Sequence, residues 1–163
     1  MIVVADASPL HYLVLIDQIA VLPPLYDQVV IPSVVCEELQ RPRTPEVVRL
    51  WMAHPPPWLD IRPSQAEDDP GLWRLGVGER QAILLARAIG ADVLLIDERH
   101  GRREARSRGL RTLGTLGILD EAAARGLLDM PAALTRLQAT NFRVTREMVQ
   151  VLLARDVARK RPQ

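Results

Sequence analysis

A three-layer α/β/α sandwich around a central parallel sheet of four or five strands is the fold this sequence predicts, and three observations predict it. Short apolar runs alternate with helical patterns up to about residue 113. Acidic residues close two of those runs and open a helix, the positions from which parallel strands deliver side chains into a ligand crevice. Beyond Gly114 the periodicity is helical throughout, which adds C-terminal helices over about 130–163 to a single domain spanning 1–163.

Each element has its own signal. Residues 2–5 (IVVA) form a wholly apolar strand, as a strand covered on both faces requires. Ser8 and Pro9 then suit the N-cap and first turn of a helix through Ile16. Residues 28–31 (QVVI) are the second strand, and Pro32 suits the first turn of a helix carrying VVCEELQ. Thr44 and Pro45 start a helix through Met52 that the prolines 55–57 terminate. WLDIR is the third strand. The polar stretch from Pro63 to Gly78, broken by Pro70 and Gly71, is expected to be a loop and a mobile flap. A helix from Gly78 to Ile89, the strand DVLLI, an Arg-rich helix to Arg108 and a short strand LRTL complete the alternation. Three helices follow. The second begins near Pro131, and the third has Thr145 as N-cap, Met148, Val149, Leu152 and Leu153 on one face, and a basic end at Arg155, Arg159, Lys160 and Arg161.

At 163 residues the chain is the size of one domain. With 48% hydrophobic and only 4% aromatic residues, its core has to be built from Leu, Val, Ile and Ala. The net charge of +1 leaves the question of a nucleic-acid partner to charge distribution. Lys160 is the lone lysine, and arginines cluster at Arg99, Arg102, Arg103, Arg106, Arg108 and Arg111. That cluster reads either as a solvated helix face or as a surface for phosphate, which Arg forks grip well. Cys36 is the single cysteine, so no internal disulfide forms and a reducing cytoplasm fits. The start MIVVADASP lacks the pattern of a signal peptide, and no apolar run is long enough to span a membrane. His11 and His54 lack partners at metal-ligand spacing, and Trp51, Trp58 and Trp73 are expected to pack under the central loop.

The chemistry is concentrated in four acids, Asp6, Glu38, Glu79 and Asp97. Asp6 closes IVVA, Asp97 closes VLLI and Glu79 opens ERQAILLARAIG. Several carboxylates in one crevice raise one another's pKa, and a divalent cation is the partner that lets all of them stay ionised. Oxygen ligands without His or Cys select a hard ion, Mg²⁺ or Mn²⁺.

The opening VVADASPL, the segment IPSVVCEEL, the stretch GVGERQAILLARAIGADVLLIDERHGRREA and the later GTLGILDEA together resemble the PIN-domain nucleases, in particular relatives of VapC-type toxins. The likeness covers nearly the whole chain. It implies a metal-dependent endoribonuclease, the toxin of a type II toxin-antitoxin pair, with RNA as substrate, a small antitoxin as partner and a homodimer as assembly. Carried over residue by residue, it implies that Asp6, Glu38, Glu79 and Asp97 are the metal-binding and catalytic acids. Ser8 would be their supporting hydroxyl; from the arginine clustering, and not from the likeness, Arg99, Arg102 and Arg103 are expected to contact nucleic acid. Glu38 is chosen over Glu37 because it directly precedes the leucine of the family's Glu-Leu pair. One helical step turns a side chain by about 100°, so both cannot face one ion. Where this chain has Glu79 the family more often has Asp.

Two rivals fall on residue type. A receiver domain needs a lysine late in the fold, and Lys160 sits in the tail. A haloacid-dehalogenase-like phosphatase needs a second Asp where Ser8 stands. The remaining alternative is a catalytically inactive PIN-like module that binds nucleic acid or protein.

Overall fold

Alternate residues of a strand face opposite ways, and that parity builds the layers here. The computed structural model describes residues 1–162. Its strands β1 (Ile2–Ala5), β2 (Gln28–Pro32), β3 (Leu59–Arg62), β4 (Val93–Leu95) and β5 (Thr112–Leu113) form one all-parallel sheet in the order β3-β2-β1-β4-β5. Val3, Ala5, Val29, Ile31, Val93 and Leu95 face one side. There they pack with α1 (Ala7–Leu15), α2 (Leu22–Leu25), α3 (Ser33–Leu39), α4 (Glu46–Ala53), α7 (Thr115–Ala124), α8 (Met130–Gln138) and α9 (Arg146–Lys160). Val4, Val30, Leu94 and Ile96 face the other side, against α5 (Val77–Ala88) and α6 (Arg99–Ser107). This is the expected α/β/α sandwich, with five strands. Met130, Ala133, Leu134, Leu137 and Leu152 join the same core as Val3, so the C-terminal helices are built onto the sheet layer.

Several local expectations shift. Asp6 is the N-cap of α1, and Ser8 lies inside its first turn. Pro32 and Pro45 each sit one place before the helix they introduce. Leu22–Leu25 is a short helix carrying Pro23 and Pro24 near its start, where a missing N–H costs nothing. The segment expected to be a flap is tied down. Gln65 and Gln81 exchange two hydrogen bonds of 2.8 and 3.1 Å, and Arg108 grips the Asp69 carboxylate at 2.6 Å. Trp51 and Trp58 pack on each other with centroids 6.2 Å apart, whereas Trp73 is 64% exposed and packs under nothing. On α9, Leu152 is buried and Met148 faces outward. Most of the basic end is paired, with Arg155 and Arg159 sharing Asp120 and Lys160 paired to the buried Asp156. Among the described residues, no helix is long and apolar enough to cross a membrane.

Candidate active site

From β1 the chain runs outward to β2 and β3, then returns to place β4 on β1's other side. A crevice therefore opens at the C-terminal ends of β1 and β4. Asp6 follows β1 directly, and its backbone N–H donates to the Leu95 carbonyl at 2.9 Å. Asp97 follows β4 after Ile96, so sheet register alone sets these two acids side by side. Asp6 makes no side-chain cap bond to α1. Its carboxylate turns into the cleft instead.

Glu38 arrives on the last turn of α3. Leu39 beside it is locked into the core and Glu37 is exposed, so helical rotation leaves Glu38 as the member of the pair that lines the cleft. Glu79 occupies the first turn of α5. The close approach depends on glycine. A Cβ on Gly78 would run into the Glu38 carboxylate with Asp6 Oδ1 only 3.3 Å away, and one on Gly101 would stand 2.9 Å from Glu79 Oε2. All four acids and Ser8 line one cavity of about 460 Å³. Arg99, Arg102 and Arg103 line a separate neighbouring cavity of about 510 Å³, which meets the first at Glu98.

Burial governs the electrostatics. Asp6, 6% exposed, has its pKa pushed up to about 7. Desolvation dominates, the Ala7 N–H opposes it, and the charges of Glu79, Glu38 and Asp97 add to it. Glu79 also rises to about 7, again chiefly through burial, with Glu98 and Glu38 adding repulsion. Its Oε2 is a buried oxygen with no hydrogen-bond partner among the described residues. Such an atom is costly unless something positive meets it.

Asp97 is held differently. Ser8 Oγ and Thr115 Oγ1 both donate to its Oδ2 at 2.7 Å, and the Thr115 N–H donates to its Oδ1 at 2.7 Å. That cradle fixes the carboxylate's plane. Thr115→Val keeps the buried shape and deletes one of those bonds. It should lower stability by about 1–2 kcal/mol in urea denaturation and reduce site activity at least about tenfold. Unchanged values for both would show that Thr115 does not orient Asp97.

Among the described residues, no three His, Cys, Asp or Glu side chains are drawn in around one metal position. The donor set nonetheless fits a hard cation. Every donor is oxygen, Asp6 Oδ1 and Glu38 Oε2 approach one point at Gly78, and Glu79 Oε2 lacks a counter-charge.

Sequence reasoning missed Glu98, Thr115, Tyr12, Asn141, Phe142 and Arg143. All but Thr115 line the acid cavity. Glu98 caps α6, its Oε2 accepting from the Gly101 N–H at 2.7 Å. Burial raises its pKa, but the Gly101 and His100 N–H groups outweigh that and hold it below the ordinary carboxylate range. Its place next to Asp97 was a usable signal. Residues 141–143 carry none.

A parallel sheet whose switch-point crevice gathers carboxylates from β1, α3, α5 and β4 defines an α/β/α protein with an acid-lined site. The family follows from comparison: the chain belongs to the PIN-domain family, since the family model DUF3368, a PIN domain, matches residues 2–156. PIN domains are typically nucleases that act on nucleic acid with divalent metal ions. Among solved structures, SSO1118, a PilT N-terminus domain protein from the hyperthermophilic archaeon Sulfolobus solfataricus P2, is similar with a TM-score of 0.52. The match has 15% identity and covers 75% of this chain and 93% of that one. At that identity the likeness is one of fold. No curated protein matches the chain.

Proposed function

We propose that this protein is a Mg²⁺- or Mn²⁺-dependent endoribonuclease, acting as the toxin of a type II toxin-antitoxin pair in the cytoplasm. The observation that carries the reading is the convergence of Asp6, Glu38, Glu79 and Asp97 on one cavity in a PIN-domain chain, with the buried Glu79 Oε2 lacking a partner.

In this reading those four carboxylates hold the ion. When bound, the ion supplies an activated water and offsets charge on the phosphoryl oxygens. The protein's share is placement. Asp6 and Glu38 are brought together by the absence of a side chain at Gly78. Ser8 and Thr115 hold Asp97 in one orientation before substrate arrives, which removes that ordering from the reaction. Helices α1, α5, α6 and α7 all begin at the cleft, so their positive ends help offset the acids there and favour a phosphate. The Arg99, Arg102 and Arg103 surface beside Glu98 supports binding of an RNA backbone.

Partner binding is supported by exposed apolar residues. Met148 and Val151 line a largely apolar groove of about 360 Å³ between α7 and α9. An antitoxin helix or a second copy of the chain would bury them. Light scattering with and without a co-expressed antitoxin tests both assemblies.

The reading is tested by incubating the protein with a mixed RNA pool in Mg²⁺ or Mn²⁺, then with EDTA. Cleavage is expected with metal and absent with EDTA. Glu38→Gln should abolish it and Glu37→Gln, on the exposed side of α3, should leave it intact. Equal loss in both variants, or a folded wild type that cleaves nothing with either metal, would overturn the proposal in favour of an inactive binding module.

A further inference from the structure

The acid cavity has one cation in its lining, and it comes from the other end of the chain. Among the described residues there, Asp6, Glu38, Glu79, Asp97 and Glu98 are acidic and Arg143 alone is basic. Arg143 lies in the connection between α8 and α9, and its neighbours hold the backbone there. Thr140 Oγ1 accepts from the Phe142 N–H at 3.2 Å. Asn141 Oδ1 accepts from the Tyr12 hydroxyl at 2.7 Å, and Phe142 packs edge-on against the Tyr12 ring at 4.9 Å. Tyr12 stands one turn beyond Ser8 on α1. The connection is therefore clamped to the helix that begins at Asp6.

Arg143 itself is exposed and, among the described residues, makes no ion pair, although five carboxylates share its cavity. A guanidinium held at the rim of an acidic cleft without neutralising it is left free for an anion from outside. The same residue lines the next cavity, of about 310 Å³, together with Asp97, Arg102 and Arg106. Arg102 and Arg106 continue into the basic cavity that holds Arg99 and Arg103. The cations thus form a connected path that starts beside the acids.

We propose that Arg143 binds a backbone phosphate of the nucleic-acid strand lying across the acids, and that Arg143, Arg102 and Arg106 carry the strand from the cleft along α6. This rests on the nuclease reading and adds a substrate-binding residue to it. An acidic cleft repels phosphate by itself, so a strand held there needs cations at fixed distance from the acids. A planar Arg fork grips two phosphate oxygens at once. Because Tyr12 anchors Asn141 and Phe142, the backbone of the connection needs little further ordering on binding, and only the Arg143 side chain has to settle. The C-terminal helices therefore complete the substrate site.

The test uses fluorescence anisotropy of a labelled single-stranded RNA with the full chain carrying Asp6→Asn to prevent cleavage, at several salt concentrations. Adding Arg143→Ala should weaken binding about tenfold and reduce the slope of log K against log salt by about 0.7. Arg143→Lys should restore most of that slope. Thermal melting should be unchanged, and in the cleaving protein Arg143→Ala should raise KM more than it lowers kcat. Unchanged affinity and slope, in a protein whose wild type cleaves RNA, would overturn this inference and leave the nuclease reading standing. Weaker binding with an unchanged slope and a lowered melting point would also overturn it, by marking a structural role. If wild type neither binds nor cleaves RNA, both fall together.

Discussion

Asp6→Asn is expected to abolish cleavage and, in the metal-free protein at pH 8, to raise stability. Loss of activity should exceed the roughly 100-fold upper range seen for groups that only support a metal ligand. The stability gain follows from the shifted carboxyl. Burial pushes the Asp6 carboxyl up to about 7 in the folded protein, from an ordinary value of 3.8. Below pH 3.8 it is protonated whether the chain is folded or not. Between pH 4 and 7 the folded protein keeps a proton that the unfolded chain has released, so stability falls as pH rises through that window. Above pH 7 the buried charge costs about 4 kcal/mol. An Asn amide in the same place removes that cost but leaves polar atoms needing partners, at about 1–3 kcal/mol. The net gain at pH 8 should be about 1–3 kcal/mol, seen as a melting point roughly 2–12 °C higher in EDTA. At pH 5 the advantage should vanish. A variant less stable than wild type at pH 8 would show that the Asp6 charge is not strained. The same shift implies that metal binding displaces protons, so activity should climb through pH 7.

Gly78→Ala is expected to disable the site while leaving the fold intact. Gly78 lies within α5, where alanine is the better helix former by up to about 1 kcal/mol. Backbone preference therefore favours the change. The added methyl, however, would run into the Glu38 carboxylate, with Asp6 Oδ1 at 3.3 Å. The free end of a glutamate side chain swings away at little cost, whereas the helix does not move. Separation of Glu38 from Asp6 should reduce cleavage at least about tenfold, with the urea midpoint equal to wild type or above it. Wild-type activity in a folded Gly78→Ala protein would remove Glu38 from the site.

The layout of the strands was legible because each is short, apolar and bounded. IVVA, QVVI and VLLI carry side chains buried on both faces, and only a parallel sheet covered by helices accommodates that. Asp6 and Asp97 were legible for the same reason, since an acid directly after such a strand has nowhere to point but the crevice. Glu79 was legible from its glycine and helix start. Glu38 was distinguishable from Glu37 only through family likeness, and α3's packing supplies the physical reason: Leu39 sets the rotation of the helix. From its own neighbours Ser8 read as a helix cap and only the family likeness made it a hydroxyl beside the acids; it donates to a carboxylate brought in by a strand much later in the chain. The polar stretch after Pro63 read as a flap because composition does not reveal that Gln81 and Arg108 hold it.

By itself the sequence determined the alternation of strand and helix, the parallel sheet and the acids at its strand ends. Those follow from periodicity, burial and local termination, which act over a few residues. The tertiary structure decided which distant groups share the cleft: Thr115 cradling Asp97, Glu98 crowding Glu79, and Arg143 reaching the acid cavity from a connection whose Asn141 and Phe142 are held by Tyr12. Contacts of that kind depend on how helices rotate and cross once the core has packed, and no local spacing encodes them.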